Sequence, residues 1–178
     1  MVFIPGFVIA ALTFPGVVVH ETAHLWFCKR FRLAVFDVCF FQFGNPSGYV
    51  IHERTDNFTA IFFVSMGPLF INSLGCLLFC SAAFLPVWEF EVADPLFYFF
   101  CWLGISLGIH AFPSTADLSN IWSLAKPEAV RGNLLAIISF PIIALFHVLN
   151  ALRVVWADLA YGVAVGLLAP LAIWKLLA

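Results

Sequence analysis

Charge is what this sequence has least of. Of 178 residues, eight are Lys or Arg and ten are Asp or Glu, 10% in all, where an ordinary soluble domain carries roughly 25%. So few charges cannot clothe a water-facing surface, which excludes a soluble domain of any size. A net charge of −2 offers no basic face to a phosphate backbone, so no nucleic-acid partner is expected. The chain also lacks a cysteine framework. Its five cysteines (Cys28, Cys39, Cys76, Cys80, Cys101) are odd in number, show no CxxC spacing and mostly lie in apolar runs, and so read as small apolar fillers. No basic residue precedes the first apolar run, which is therefore expected to be a retained span and not a signal peptide. Repeats, low-complexity tracts and linkers are missing too, so residues 1–178 are taken as one domain.

What is present is apolar: 63% of residues are hydrophobic and 17% aromatic. Long apolar runs fall at Val2 to Phe27, Phe58 to Leu85, Pro95 to Phe112, Leu134 to Leu152 and Val154 to Leu177, each near the ~20 residues a helix needs to cross a lipid bilayer. The expectation is an all-α polytopic membrane protein with about five transmembrane helices. Between the first two runs lies LAVFDVCFFQFGNPSGYVIHE, β-branched and aromatic on both sides of Gly44-Asn45-Pro46-Ser47-Gly48. It reads as a β-hairpin over residues 34–53. Lys29, Arg30, Arg32 and Arg54 flank the hairpin, and Lys126 and Arg131 lie between the third and fourth runs. The positive-inside rule makes these loops cytoplasmic. PVWEFEVADP, with acids and no base, suits the outer side. The N-terminus is then expected outside and the C-terminus, near Lys175, in the cytoplasm. Only Arg153 falls on the wrong side.

The first run contains the pattern H-E-x-x-H, as His20-Glu21-Thr22-Ala23-His24. On a helix, residues i and i+4 share a face with Cβ atoms ~6 Å apart, close enough for both imidazoles to hold one metal ion. Glu21 points beside that face, where it can take a proton from water activated by the ion. The bland alternative is a His–Glu polar cluster at a frayed helix end. A catalytic zinc takes three protein ligands. Candidates for the third are His110 and Asp117 in IHAFPSTADLSNIW, with His147 and His52 as outsiders. His20 stands nine residues before Lys29 and Asp117 nine before Lys126, so each lies ~13 Å from the basic face at 1.5 Å per residue. That level favours Asp117, although Pro113 breaks the run and leaves His110 open as a ligand or a supporting group. Ser114-x-x-Asp117 also matches a capping box, in which the carboxylate merely caps a restarted helix.

HETAH, Gly67-Pro68 followed by Asn72, and Pro113 followed by Asp117 together resemble the site-2 protease family of intramembrane zinc metalloproteases. The resemblance covers about Thr13 to Ala125. It departs from the family pattern in having Leu118 and Ser119 after Asp117, and one extra residue between Gly67-Pro68 and Asn72. It implies a three-helix catalytic core within residues 1–125, with residues 133–178 adding two further helices. It also implies Zn2+ held by His20, His24 and Asp117, Glu21 as general base, a membrane-associated hairpin, and cleavage of a partner's transmembrane segment.

On this reading the hairpin edge, at Val50 and Ile51 among others, binds an unwound substrate as an added strand. Asn72 donates to substrate or oxyanion, or else makes a helix-packing hydrogen bond. Ser114 and His110 stand as supporting groups. The site would lie nearer the cytoplasmic face. The competing expectations are a hairpin that plugs the cavity, a non-proteolytic metal-binding scaffold or transporter, and an intramembrane zinc hydrolase of lipids or small amides.

Overall fold

A computed structural model describes residues 6–90 and 95–177. Glu91 and Asp94 of the acidic loop and the first five residues lie outside the described residues. The elements are α1 (Gly6–Leu12), α2 (Phe14–Arg30), β1 (Val35–Cys39), β2 (Tyr49–His52), α3 (Phe58–Phe90), α4 (Pro95–Ile109), α5 (Thr115–Val130), α6 (Leu134–Ala151), α7 (Ala157–Val163) and α8 (Ala169–Leu177). A 3₁₀ turn at Leu152–Val155 joins α6 to α7, and a π turn at Ala164–Leu168 joins α7 to α8.

The first apolar run is not one straight span: α1 and α2 meet at 88° around Thr13. Pro15 in the first turn of α2 has no N–H to offer a preceding turn, which sets the helix start there. At the far end Lys29 and Arg30 meet the negative pole of the helix, and Arg32 at φ 59° closes it in the left-handed conformation usual just past a helix end. The hairpin follows as expected: β1 and β2 pair antiparallel, Val38 opposite Val50 and Cys39 opposite Tyr49, with a bulge between Val35 and Asp37. Tyr49 Oη donates to Asp37 Oδ2 at 2.9 Å, and the carboxylate holds the phenol's ionisation above its ordinary range.

Around the 33-residue α3 the remaining helices form two tiers. Its first half (Phe58, Phe62, Met66) packs on Leu118 and Ile121 of α5 and Ile143 of α6. Its second half packs on α4 and α7 through small residues. Cys76 and Cys80 face Gly104 and Gly108 of α4 and Gly166 of the π turn. A Cβ on Gly108 would stand 2.6 Å from the Gly162 Cα, so the two backbones approach as only glycine allows, in the small-xxx-small manner of membrane helices.

Chain direction follows from these contacts. In α5 and α6, Pro113 meets Asn150 and Trp122 meets Phe140, so the two are antiparallel. Along α7, Tyr161 meets Ser73 and Phe112 while Gly166 meets Cys80 and Ile105, so α7 runs with α3 and against α4. Thus α4 and α5 form one descending track broken at residues 110–114, and α6 to α8 form one ascending track broken at 152–156.

These directions bear on the two separate final spans expected from the sequence. Leu134–Val155 and Ala157–Leu176 are each apolar and long enough to cross a membrane, but consecutive segments running the same way cannot each be a complete crossing. They also move the end of α8 to the end of the molecule where α3 finishes, opposite to the basic loops and not beside them.

Candidate metal centre

Three chain breaks, at Thr13, at residues 110–114 and at residues 152–156, fall at one level between the tiers. Breaks in a helix free carbonyls that must find donors when no water is near. Here side chains supply them. Asn150 Nδ2 donates to Pro113 O at 3.0 Å, Arg153 Nη2 to Phe112 O at 3.3 Å and Trp102 Nε1 to Leu12 O at 2.9 Å. Asn72, fully buried, donates through Nδ2 to Gly16 O at 3.0 Å, Leu107 O at 3.3 Å and His110 O at 3.1 Å.

The carbonyl of His110 also receives His20. His20 Nδ1 lies 2.7 Å from His110 O, and His24 Nδ1 lies 2.8 Å from Val64 O. A carbonyl only accepts, so each ring carries its proton on Nδ1 and turns a bare Nε2 inward. The two Nε2 atoms face each other at 3.1 Å. Two lone pairs at that distance repel unless a cation stands between them. Asp117 completes the set: its Oδ2 is 3.7 Å from His24 Nε2, and one donor atom from each of His20, His24 and Asp117 falls within 4.8 Å of the others. The arrangement could hold a metal ion, and two imidazoles with one carboxylate form a donor set that suits a divalent transition ion.

The capping reading of Asp117 is borne out, and it is compatible with the ligand reading. Its Oδ2 accepts from Ser114 N at 2.8 Å and Ser114 Oγ at 2.6 Å, and Ser114 Oγ accepts from Asp117 N. The capping box that starts α5 thereby fixes the carboxylate that meets the two histidines. His110 is not part of the group. Its Nε2 lies 2.8 Å from Thr13 Oγ1, and it supports His20 through its backbone instead. His52 and His147 lie apart, the first with Nδ1 on its neighbour Glu53 O, the second lining a small cavity between α5 and α6.

Glu21 is buried and lies outside the group of three. Gly48, at the start of the returning hairpin strand, sits on it: a Cβ there would stand 2.7 Å from Glu21 Cγ and 3.0 Å from Oε1. Val50 and Ile51 lie on β2, the side chain of Ile51 half exposed, in a sheet of only two strands, so each strand keeps an unpaired outer edge.

Of the two roles expected for Asn72, its surroundings favour the helix-packing one. Its Nδ2 is spent on three backbone carbonyls, its Oδ1 has no partner among the described residues, and burial removes the side chain from any bound segment. One of these carbonyls, Gly16 O, lies in α2, and the other two lie at the break 35 and 38 residues further along the chain, a pairing the local sequence does not announce.

Comparison with protein-family models, curated proteins and solved structures finds no match to this chain. The functional reading therefore rests on the site itself.

Proposed function

We propose that the chain is an intramembrane metalloprotease of the site-2 kind, using Zn2+ held by His20, His24 and Asp117 to hydrolyse a peptide bond in or near a transmembrane segment of a partner protein. The observation that carries this reading is the pair of bare Nε2 atoms 3.1 Å apart with Asp117 beside them and a buried carboxylate, Glu21, next in sequence to His20. A site that only stored an ion has no use for a fourth, unligated acid.

A zinc ion bound there supplies Lewis-acid polarisation of the scissile carbonyl and a more acidic water. The chain supplies the rest. His110 O and Val64 O hold the two imidazoles in the ligating tautomer, and Ser114 aims Asp117. Glu21 takes the proton from the attacking water and gives it to the departing amine as the C–N bond breaks. A helical substrate shields its peptide bonds, and the free edge of the hairpin offers backbone donors and acceptors to an unwound segment. Gly48 keeps that edge in direct contact with Glu21, so a segment paired there passes over the carboxylate.

Metal analysis of the purified protein is expected to find about one zinc per chain. Glu21→Gln is expected to keep the metal and lose cleavage of a co-expressed single-span substrate, because the side chain moves a proton and does not coordinate. Near-normal cleavage by this variant would sink the mechanism. Turnover of lipids but not peptides by the purified protein would replace the substrate class.

A further inference from the structure

Arg153 is the residue that neither the charge pattern nor the proposed chemistry absorbs. An ionisable side chain at membrane depth is costly and marks a pathway or a ligand by default. Arg153 sits in the break between α6 and α7, at the level of the metal centre. It lines a cavity of about 710 Å³ bounded by α1, the hairpin turn and that break, a size usual for a ligand pocket.

Two features connect this cavity to the reaction. His110 forms part of its wall, and the backbone of the same residue holds His20. Ser47 lines it too, and the next residue, Gly48, rests on Glu21. A peptide laid along the hairpin edge and across Glu21 would therefore place a side chain one or two residues from the cut bond in the cavity.

We propose that this cavity receives a carboxylate side chain of the segment being cut, with Arg153 as its anchor. The inference rests on the protease reading and names its substrate class. The guanidinium is held in place, and its internal acid partner is a distant one. Nη2 donates to Phe112 O at 3.3 Å, and the group lies over the Phe112 ring at 5.8 Å. The one carboxylate paired with it among the described residues, Asp158, keeps Oδ2 3.8 Å from Nε and spends Oδ1 on Leu159 N. A charge-assisted hydrogen bond is shorter, at ~2.7–2.9 Å, so a fork of donors remains for an incoming acid. Asn45 and Asp158 add polar wall, and Phe7, Ile9 and Val154 add apolar wall, which suits the aliphatic neighbours of an acid carried on a transmembrane segment.

The test reads binding, not turnover. Zinc-loaded Glu21→Gln protein in neutral detergent is titrated with a labelled Leu/Ala single-span peptide carrying one Asp, walked through the central positions, and with the matching Asn peptides. At one or two adjacent positions Asp is expected to bind about ten-fold or more tightly than Asn, the scale of a hydrogen bond to a charged group. Arg153→Gln should abolish that preference while leaving the Asn peptide unchanged. Ser47→Asp should do the same by offering the guanidinium an internal acid, and it leaves the support of Phe112 intact should Arg153→Gln not fold. Equal binding of Asp and Asn peptides, or a preference that survives both variants, would overturn the proposal and leave the protease reading standing. Displacement of the Asp preference by phosphatidylglycerol micelles, with Arg153-dependent binding of that lipid, would overturn it in favour of a headgroup site. Failure of every peptide to bind would overturn both.

Discussion

At the scale of single residues the His20, His24 and Asp117 group is held by residues outside it. Asn72 is the clearest case. It fixes His110 O, which fixes the tautomer of His20. Asn72→Ala is expected to weaken zinc binding by about ten-fold or more, the usual cost of losing a partner behind a ligand. Asn72→Asp, though nearly isosteric, should be worse, because it turns a carboxylate toward three carbonyl oxygens. Zinc titration of the two variants checks the order. Asp117 separates from His110 in the same assay. Asp117→Asn keeps an acceptor for the Ser114 cap, so the helix should survive while the anionic ligand is lost and affinity falls sharply. His110→Ala keeps the backbone carbonyl and should retain most of the zinc. Tight binding in Asp117→Asn with loss in His110→Ala would reverse the assignment. The pairing of His20 with His24 was legible in the sequence because i and i+4 on a helix is local geometry, whereas Asp117 was reached only through its level relative to the basic loops. The role of Asn72 was not legible, because its partners are carbonyls of α2 and of the broken end of α4, distant in the chain.

At the scale of elements, the hairpin and the helix breaks follow from residues that announce themselves. Gly44 to Gly48 interrupts a β-branched run, and Pro113 stops α4 while Ser114 and Asp117 restart the chain as α5. The bend at Thr13 was not announced, since no proline or glycine occupies the corner itself, and neither was the crossing of α4 and α7. There Gly104-x-x-x-Gly108 and Gly162-x-x-x-Gly166 meet Cys76-x-x-x-Cys80, a pattern visible in the sequence only once its three parts are known to be neighbours. Gly108→Ala forces a methyl against the Gly162 backbone and should destabilise the fold by about 1–3 kcal/mol, as overpacking does. Gly44→Ala, where nothing lies within 4 Å, is the matched control and should be near neutral. Thermal unfolding in one detergent compares them, and equal shifts would mean that the crossing has room to relax.

At the scale of the whole molecule, hydropathy counts apolar runs but not their directions. Five runs in alternation put the basic loop before α6 and the end of α8 on one side. The packing of Tyr161 on Ser73 and of Gly166 on Cys80 instead sends α7 and α8 the same way as α3, so α6 to α8 make one ascending track and the two points fall on opposite sides. At its break, Asn150 and Arg153 donate to Pro113 O and Phe112 O, the carbonyls left by the break in the neighbouring α4–α5 track. The same two breaks that let four tracks replace five therefore also assemble the level at which His20, His24 and Asp117 meet. Labelling decides between the arrangements. In a background with the half-exposed Cys39 and Cys101 replaced by serine, Val130→Cys and Leu176→Cys place single reactive thiols at two highly exposed positions. Cys28, Cys76 and Cys80 are buried and should stay silent. With a membrane-impermeant maleimide added to intact cells, Leu176→Cys is expected to react at once and Val130→Cys only after the membrane is opened, because the positive-inside rule places the loop carrying Lys126 and Arg131 in the cytoplasm. Protection of both thiols in intact cells would restore five alternating spans, and with them a C-terminus beside the basic loops.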